Sequence, residues 1–325
     1  MSALHDLRGR LARLRLPVFA APMFLVSGPD LLIASCKAGV VGSFPAPNVR
    51  TAEELEVWLR QVTAALDPDY AEGGNPLTAP WALNLVTHRT NARLPKDLDL
   101  VARYKPPVVI TALGSPAPVV EVVHSYGGLV FADVNSIGYA RKAAATGVDG
   151  LVLVAAGAGG HTGHLCNYVF VEEVRAFFDG MIALAGGIST GRAILAAQVM
   201  GADFAYIGTK FIATDESLAE EGYRDMLIRC AADDLVVTKA FTGANASMMK
   251  PSIEAQGLDI ADIVSRQAKM NFTGLEGAEV KPWKGIWSAG QGVGSIDAVV
   301  PTAVLVERLA TEYAAARRQA RALLG

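Results

Sequence analysis

A histidine in a glycine-rich loop is the residue of this sequence best suited to chemistry. The loop reads Ala156-Gly157-Ala158-Gly159-Gly160-His161-Thr162-Gly163-His164. His161 does not lie on a periodic apolar face, so a buried core histidine explains it poorly. A neutral imidazole at an open position can abstract a proton or hydrogen bond to an anionic substrate. We therefore predict that His161 is catalytic, and that His164 is structural or exposed at the rim.

The loop admits three other interpretations. A metal could use His161, His164 and Cys166, but no carboxylate or further histidine nearby completes the set, so we expect no metal. A dinucleotide-binding fingerprint would need glycine where the chain has Thr162, and the loop lacks a suitably placed acidic residue. Barrels that oxidise purine nucleotides carry a cysteine nucleophile in the corresponding loop, but the motif around Cys166 is missing.

Two further glycine runs are suited to anion binding. One reads Ala185-Gly186-Gly187-Ile188-Ser189-Thr190-Gly191, and the other reads Ile207-Gly208-Thr209-Lys210. Glycine lets backbone N–H groups approach an anion, and a helix start after the loop adds unpaired donors. The alternative is that these are tight turns capped by Ser189 or Thr190. Because both runs follow the strands whose loops most often hold phosphate in barrels, we favour a phosphate-bearing ligand.

The elements that carry these loops alternate between short β-rich apolar runs and amphipathic helical stretches. The predicted strands are Pro17–Met23, Val40–Ala46, Trp81–Val86, Val108–Gly114, Leu129–Val134, Gly150–Ala156, Met181–Gly187 and Phe204–Phe211. Alternation of this kind indicates a parallel sheet, and eight strands is the number that closes a barrel. The sequence thus predicts an α/β fold, a (β/α)₈ (TIM) barrel, with the glycine runs at the carboxyl ends of strands, where barrel active sites lie.

The chain beyond about residue 213 no longer follows this alternation. Helices are predicted at Leu218–Ala231, around Ile260–Ala268 and at Ala298–Leu324, with a Gly- and Trp-rich segment at Gly274–Gly294. We predict a barrel core at residues 1–212, a cap on the substrate side at 213–280, and a return segment with a terminal helix at 281–325.

Composition excludes several classes of protein. The chain has 325 residues, 51% of them hydrophobic, and a net charge of −3 without a basic stripe, so nucleic acid is not an expected partner. Its three cysteines form no CxxC pair, which fits a reducing cytoplasm.

The arginines before Leu16–Val26 resemble a signal-peptide head, but Pro17 and Pro22 interrupt that run. No stretch reaches the ~18 apolar residues of a membrane span. The apolar stripe of the terminal helix either supports a homodimer or packs on the barrel.

These motifs resemble the nitronate monooxygenases, formerly called 2-nitropropane dioxygenases, which are FMN-dependent barrels. The resemblance extends from Ala21-Pro22-Met23 to the Gly285-Ile286-Trp287-Ser288-Ala289-Gly290-Gln291-Gly292 run. It is most specific at Gly159–Gly163, at Ala185–Ile188 and at Gly208-Thr209-Lys210-Phe211.

The resemblance implies a role for each matching residue. His161 matches the catalytic histidine. Ala21, Pro22 and Met23 would lie beside the isoalloxazine ring, with Asn84 at its polar edge. Gln291 and Gly292 would approach the ring from the chain beyond residue 213, which we call the tail. The phosphate would be held by Gly159, Gly160, Gly186, Gly187, Gly208 and Thr209. Relatives often carry a flavin-binding lysine where this chain has Asp133, and a carboxylate cannot supply that positive charge.

The activity implied is oxidation of an alkyl nitronate, such as propionate 3-nitronate, by oxygen to a carbonyl compound and nitrite. An NAD(P)H-dependent reductase of quinones or enoyl thioesters on the same fold is the alternative, because fold alone does not decide function. A non-catalytic flavin or phosphate sensor is a third hypothesis, and His161 at the catalytic mouth argues against it.

Overall fold

Eight parallel strands form a near-closed barrel in this computed structural model, which describes residues 6–71, 73–266 and 285–324. The strands are β1 (Val18–Ala20), β2 (Gly42–Pro45), β3 (Trp81–Val86), β4 (Val108–Ala112), β5 (Leu129–Val134), β6 (Gly150–Val154), β8 (Met181–Ala185) and β9 (Phe204–Ile207), with β7 (Gly160–His161) outside this sheet. Their order is β1-β9-β8-β6-β5-β4-β3-β2. A parallel bridge between Phe19 and Val41 joins the two ends. The predicted (β/α)₈ barrel is confirmed.

Side-chain alternation along the strands separates an inner from an outer core. Phe19, Phe131 and Phe204 point into the barrel. The ring centroid of Phe19 lies 5.4 Å from that of Phe131 and 5.1 Å from that of Phe204. Residues one position away along each strand, such as Val130 and Ala205, belong to the outer core against the helices. The barrel interior is therefore packed with side chains, and a ligand can bind only at its ends.

Helices surround the barrel and continue beyond it. They are α1 (Leu7–Ala12), α2 (Pro29–Lys37), α3 (Ala52–Tyr70), α4 (Leu94–Tyr104), α5 (Ala117–His124), α6 (Ile137–Ala144), α7 (Asn167–Arg175), α8 (Gly191–Val199), α9 (Thr209–Ile212), α10 (Glu221–Arg229), α11 (Lys250–Glu254), α12 (Ile260–Ser265) and α13 (Thr302–Leu324). Short 3₁₀ turns occur at Ala46–Asn48, Ala232–Asp234 and Gln291–Ser295. Helix α1 places Leu7 and Leu11 against the inner core and closes the amino-terminal end of the barrel.

Several predicted boundaries were too wide. The first strand ends at Ala20, because the backbone beyond it turns to let the Ser27 hydroxyl accept from Met23 N. The last barrel strand ends at Ile207, because α9 starts at Thr209. The terminal helix starts at Thr302, after Pro301, and its first N–H donates to the Glu216 carboxylate. The predicted segments at 267–268 and 274–284 lie outside the described residues.

A second sheet, unforeseen from the sequence, lies beside the barrel. Strand β11 (Ala246–Met249) pairs antiparallel with β10 (Leu235–Thr238) on one side and with β7 on the other. One strand of this sheet thus comes from the loop after β6 and two from the chain beyond residue 213. We call this three-stranded sheet the cap sheet. The division into segments at 212 and 280 remains a prediction.

The apolar side of α13 packs on the barrel, against α2 and α8. Leu305, Val306 and Leu309 are buried in the outer core. This is one of the two alternatives that the sequence left open, while the oligomeric state remains a prediction. Within the part of the chain that the structure describes, no helix has both the length and the apolar character to cross a membrane.

Candidate functional site

His161 lies where the barrel meets the cap sheet. It forms the second residue of β7, and its backbone pairs with Ala246 of β11. Its Nε2 lies 3.1 Å from the hydroxyl of Thr242, in the connection between β10 and β11. Burial lowers the pKa of His161 below its ordinary value, so the imidazole is neutral near pH 7. This places a neutral histidine in the loop after β6, as predicted, but the partner from the cap could not be foreseen.

The loops after β6, β8 and β9 converge on the tail. The carbonyl of Gly157 accepts hydrogen bonds from Gly187 N at 3.2 Å and from Gln291 N at 2.9 Å. The hydroxyl of Thr209 accepts from Gly290 N at 2.9 Å. Residues that the sequence grouped as one candidate cofactor site therefore lie together, although they come from four separate parts of the chain.

Glycine is needed in these loops for two different reasons. A Cβ at Gly159 would lie 2.7 Å from Gly290 N and 2.9 Å from Ala289 C, so the loop and the tail approach too closely for any side chain. Gly160, Gly186 and Gly187 have φ of 63°, 136° and 69°, a region that favours glycine. A Cβ at Gly187 would meet no described atom within 4 Å, so this residue presents its backbone to open space.

We expect Gly159→Ala to displace the tail from the barrel. The atoms it would strike are backbone, which cannot rotate away, so the free energy of unfolding should fall by about 1–3 kcal/mol. Urea denaturation measures this change. Gly138→Ala on α6 is the matched control, because a Cβ there meets no described atom within 4 Å. Equal stabilities of the two variants would contradict the close approach of the tail.

The Ala21-Pro22-Met23 loop is held against the loop after β9. A Cβ at Gly208 would lie 3.4 Å from Met23 Sδ and 3.7 Å from Ala21 Cβ. The Asn48 side chain donates to Met23 O at 3.1 Å and accepts from Leu25 N at 2.8 Å. Asn48 thereby supports Leu25 in its left-handed conformation, with φ of 61°. Sequence reasoning missed Asn48, which acts on the loop from 25 residues away.

Three polar side chains point into the carboxyl-terminal end of the barrel. Asn84 is buried and donates to Ile110 O at 3.2 Å. Asp133 Oδ1 and the Tyr206 hydroxyl are buried with no hydrogen-bond partner among the described residues. Burial raises the pKa of Asp133 to about 7, and burial followed by the nearby Asp133 raises that of Tyr206. Unpartnered polar atoms at this depth are costly unless water or a ligand satisfies them, so Asp133 and Tyr206 are candidate ligand contacts.

His164 and Cys166 are exposed, the latter as the residue that precedes α7. Gly292 lies in the 3₁₀ turn of the tail, where a Cβ would lie 2.5 Å from Ser189 Oγ. In the described ranges, no three His, Cys, Asp or Glu side chains are grouped so that they could hold a metal ion.

Comparison with known proteins identifies the family of this chain. The family model for nitronate monooxygenase matches residues 7–312. A nitronate monooxygenase from Paraburkholderia phytofirmans is 29% identical over 75% of this chain and 76% of its own length. A Mycobacterium tuberculosis protein named putative monooxygenase Rv1533 is 30% identical over 66% of this chain, and the match spans 61% of that protein's length.

Solved structures of two enzymes share the whole fold. The nitroalkane oxidase of Streptomyces ansochromogenes superposes with a TM-score of 0.74 at 24% identity, over 98% of this chain and 99% of that one. FabK from Thermotoga maritima superposes with a TM-score of 0.76 at 20% identity, over 99% of both chains. At these identities the structures establish the fold alone, whereas the family match covers nearly the whole sequence. The chain is an oxidoreductase and belongs to the nitronate monooxygenase family.

Proposed function

We propose that this protein oxidises alkyl nitronates, such as propionate 3-nitronate, with oxygen. The carbon that carries nitrogen becomes a carbonyl carbon and the nitrogen leaves as nitrite. One oxygen atom is added per nitronate, so two nitronates and one O₂ balance as two carbonyl compounds and two nitrite ions. The observation that carries the proposal is the half-buried His161 at the mouth of the barrel, with its pKa lowered by burial, among the glycine loops that converge on the tail.

The cofactor of this reaction is proposed to be FMN. The backbone at Gly187, which faces open space, and the unpartnered atoms of Asp133 and Tyr206 fit a ligand with a phosphate at one end and polar ring atoms at the other. The phosphate would be held by Gly159, Gly160, Gly186, Gly187, Gly208 and Thr209. The ring would contact Ala21, Pro22, Met23, Asn84, Asp133, Gln291 and Gly292. FMN would supply the redox chemistry, and the protein supplies position and electrostatics.

The roles of this chain's own residues follow from their surroundings. His161 can take a proton from carbon or hydrogen bond to the substrate anion. Asp133 is held largely protonated by burial below pH 7, so it adds no negative charge near the ring in that range. The positive charge of a lysine at this position would favour reduction of the ring, whereas a neutral carboxyl group has no charge with which to do so.

Anaerobic mixing tests the proposal. We expect the purified protein to carry a yellow chromophore that chromatography after heat release identifies as FMN. Propionate 3-nitronate should bleach the flavin absorbance rapidly without oxygen, while NADH and NADPH should leave it unchanged. Carbonyl product and nitrite should then appear when oxygen is admitted.

The alternative function has its own outcome in the same experiment. Bleaching by NADH or NADPH with no response to the nitronate would replace the proposal by an NAD(P)H-dependent reductase of quinones or enoyl thioesters. Quinones and enoyl thioesters would then be tested as acceptors for the reduced flavin. Absence of turnover with every reductant would leave a binding protein.

A further inference from the structure

Leu113, the first residue after β4, has a backbone conformation that leucine rarely adopts. Its φ is 62°, in the left-handed region, where the Cβ of an L residue crowds the carbonyl oxygen. Burial of a leucine side chain in the core could offset that cost, but the side chain of Leu113 is 38% exposed. The residue thus combines a strained backbone with an apolar side chain that remains in contact with water.

Contacts on both sides of Leu113 keep it in this conformation. Before it, Ala112 O accepts a hydrogen bond from Thr87 N at 3.0 Å. After it, Gly114 lies so close to the loop after β3 that a Cβ there would be 2.3 Å from Thr87 O and 2.7 Å from His88 N. Strain that the surroundings maintain in this way is typical of residues that contact ligands.

Leu113 lies at the end of the barrel that contains the candidate site. Strand β4 lies between β3 and β5, which carry Asn84 and Asp133. The Asn84 side chain donates to Ile110 O, and Leu113 follows Ile110 by three residues, beyond the carboxyl end of β4. Leu113 therefore lies between the strand ends that carry two of the proposed ring contacts, further out towards solvent.

A second exposed apolar side chain occurs on the loop after β1. Phe24 is 36% exposed, and Leu25 beside it also has a positive φ, with Leu25 N donating to the Asn48 side chain. In a closed barrel both loops lie at the carboxyl-terminal end, at different positions around the same mouth. Two firmly held loops thus present large apolar side chains where a ligand can bind, and ligand sites are lined mainly by such side chains.

We propose that Leu113 is a specificity-determining residue that contacts the alkyl chain of the substrate, with Phe24 as a second contact. This inference rests on the proposed function and names the class of nitronate: one with a long, unbranched and uncharged chain. Each methylene group that leaves water against an apolar side chain increases affinity about fourfold. A carboxylate at the end of the chain, as in propionate 3-nitronate, would lose hydration at the same place and gain no partner from Leu113.

Binding of straight-chain alkanoates to the protein as purified tests the contact without turnover. A carboxylate resembles a nitronate in having two oxygens that share a negative charge, and it does not react. Calorimetric titration with butyrate, hexanoate and octanoate should show affinity that rises two- to fourfold for each added methylene. Suberate, which has the length of octanoate and a second carboxylate, should bind at least about tenfold more weakly than octanoate. Octanoate that binds no better than butyrate, or suberate that binds better than octanoate, would overturn the inference.

Leu113→Ala should reduce this dependence on chain length. We expect octanoate to bind about tenfold more weakly to the variant, while butyrate, which is too short to reach the side chain, should change less than twofold. Leu113→Gly removes the same side chain and also relieves the positive φ, so it should fold at least as well and lose the dependence in the same way. Wild-type dependence on chain length in both variants would contradict the proposed contact.

Leu77→Ala is the matched control for loss of an exposed leucine. Leu77 is 68% exposed and precedes β3, so it lies at the amino-terminal end of the barrel, away from the mouth. We expect the variant to keep the wild-type affinities for all three alkanoates. If Leu77→Ala weakens octanoate binding as much as Leu113→Ala does, the effect is general and Leu113 is not a specificity residue.

Steady-state kinetics with two nitronates then connects the contact to the reaction. With the nitronate of 1-nitrohexane, Leu113→Ala should raise KM about tenfold and leave kcat within twofold, because the side chain touches the chain and not the reacting carbon. With propionate 3-nitronate, KM should change less than twofold. If no nitronate reduces the flavin, the proposed function is wrong, and the alkanoate titrations still decide whether Leu113 contacts an alkyl chain. If nitronates react but alkanoate affinity is independent of chain length, the function stands and the role of Leu113 is wrong.

Discussion

Replacing His161 with alanine should lower the rate of flavin reduction by 3-nitropropionate on the order of 10²-fold while the flavin stays bound. The change removes the imidazole that can take a proton from the α carbon of a nitroalkane. It leaves intact the hydrogen bonds from Gly187 N to Gly157 O and from Gly290 N to Thr209, neither of which uses the imidazole. Stopped-flow absorbance measures the rate, and the flavin-to-protein absorbance ratio measures retention.

The pH dependence and a second substrate sharpen this result. Because burial lowers the pKa of His161, the wild-type rate with the nitroalkane should fall only below the usual value of about 6.5, where the ring becomes protonated. His161→Ala should lack that acidic limb. The exposed His164 provides the control, since His164→Ala should keep the rate. If His161→Ala lowers the rate of flavin reduction equally with the nitroalkane and with the nitronate, His161 acts in anion binding and not in proton abstraction.

The second large effect is expected from Asp133→Asn, measured as stability against pH. Burial raises the pKa of Asp133 to about 7 in the folded protein, whereas an unfolded Asp titrates near 3.9. Between these values the unfolded state releases the proton and the folded state keeps it, so wild-type stability falls as pH rises from about 4 to about 7. Above that range both states are ionised, and the penalty levels off at about 2–4 kcal/mol.

Asparagine cannot ionise, so the variant should not lose stability through this group as the pH rises. We expect the stability of Asp133→Asn relative to wild type to increase by about 2–4 kcal/mol between pH 4 and pH 8. Urea denaturation of the flavin-free protein at several pH values gives the difference, in which the contributions of other titrating groups cancel. A difference that stays constant from pH 4 to pH 8 would show that Asp133 is already ionised near its usual pKa.

Local sequence patterns were sufficient to predict much of the fold. Alternation of apolar runs with amphipathic helices predicted all eight barrel strands, because a strand covered on both faces must be apolar along its length. Strand ends were less accurate, as at Ile207, where the start of α9 depends on contacts made after the barrel closes. Strand β7 was missed because two residues carry no periodic signal, and its pairing partner lies 85 residues further along the chain.

The candidate site divides in the same way. Residue type and position after a strand predicted His161 and the glycines after β8 and β9 as site residues, because the carboxyl ends of barrel strands must meet at one face. The role of Asp133 was an expectation from the family resemblance. The tertiary structure alone decided that Thr242 contacts His161 and that Gly157 O joins two distant N–H groups. It also decided that Asp133 and Tyr206 share the barrel interior. Such contacts join residues far apart in sequence, and their hydrogen bonds and pKa shifts exist only once folding has brought them together and excluded water.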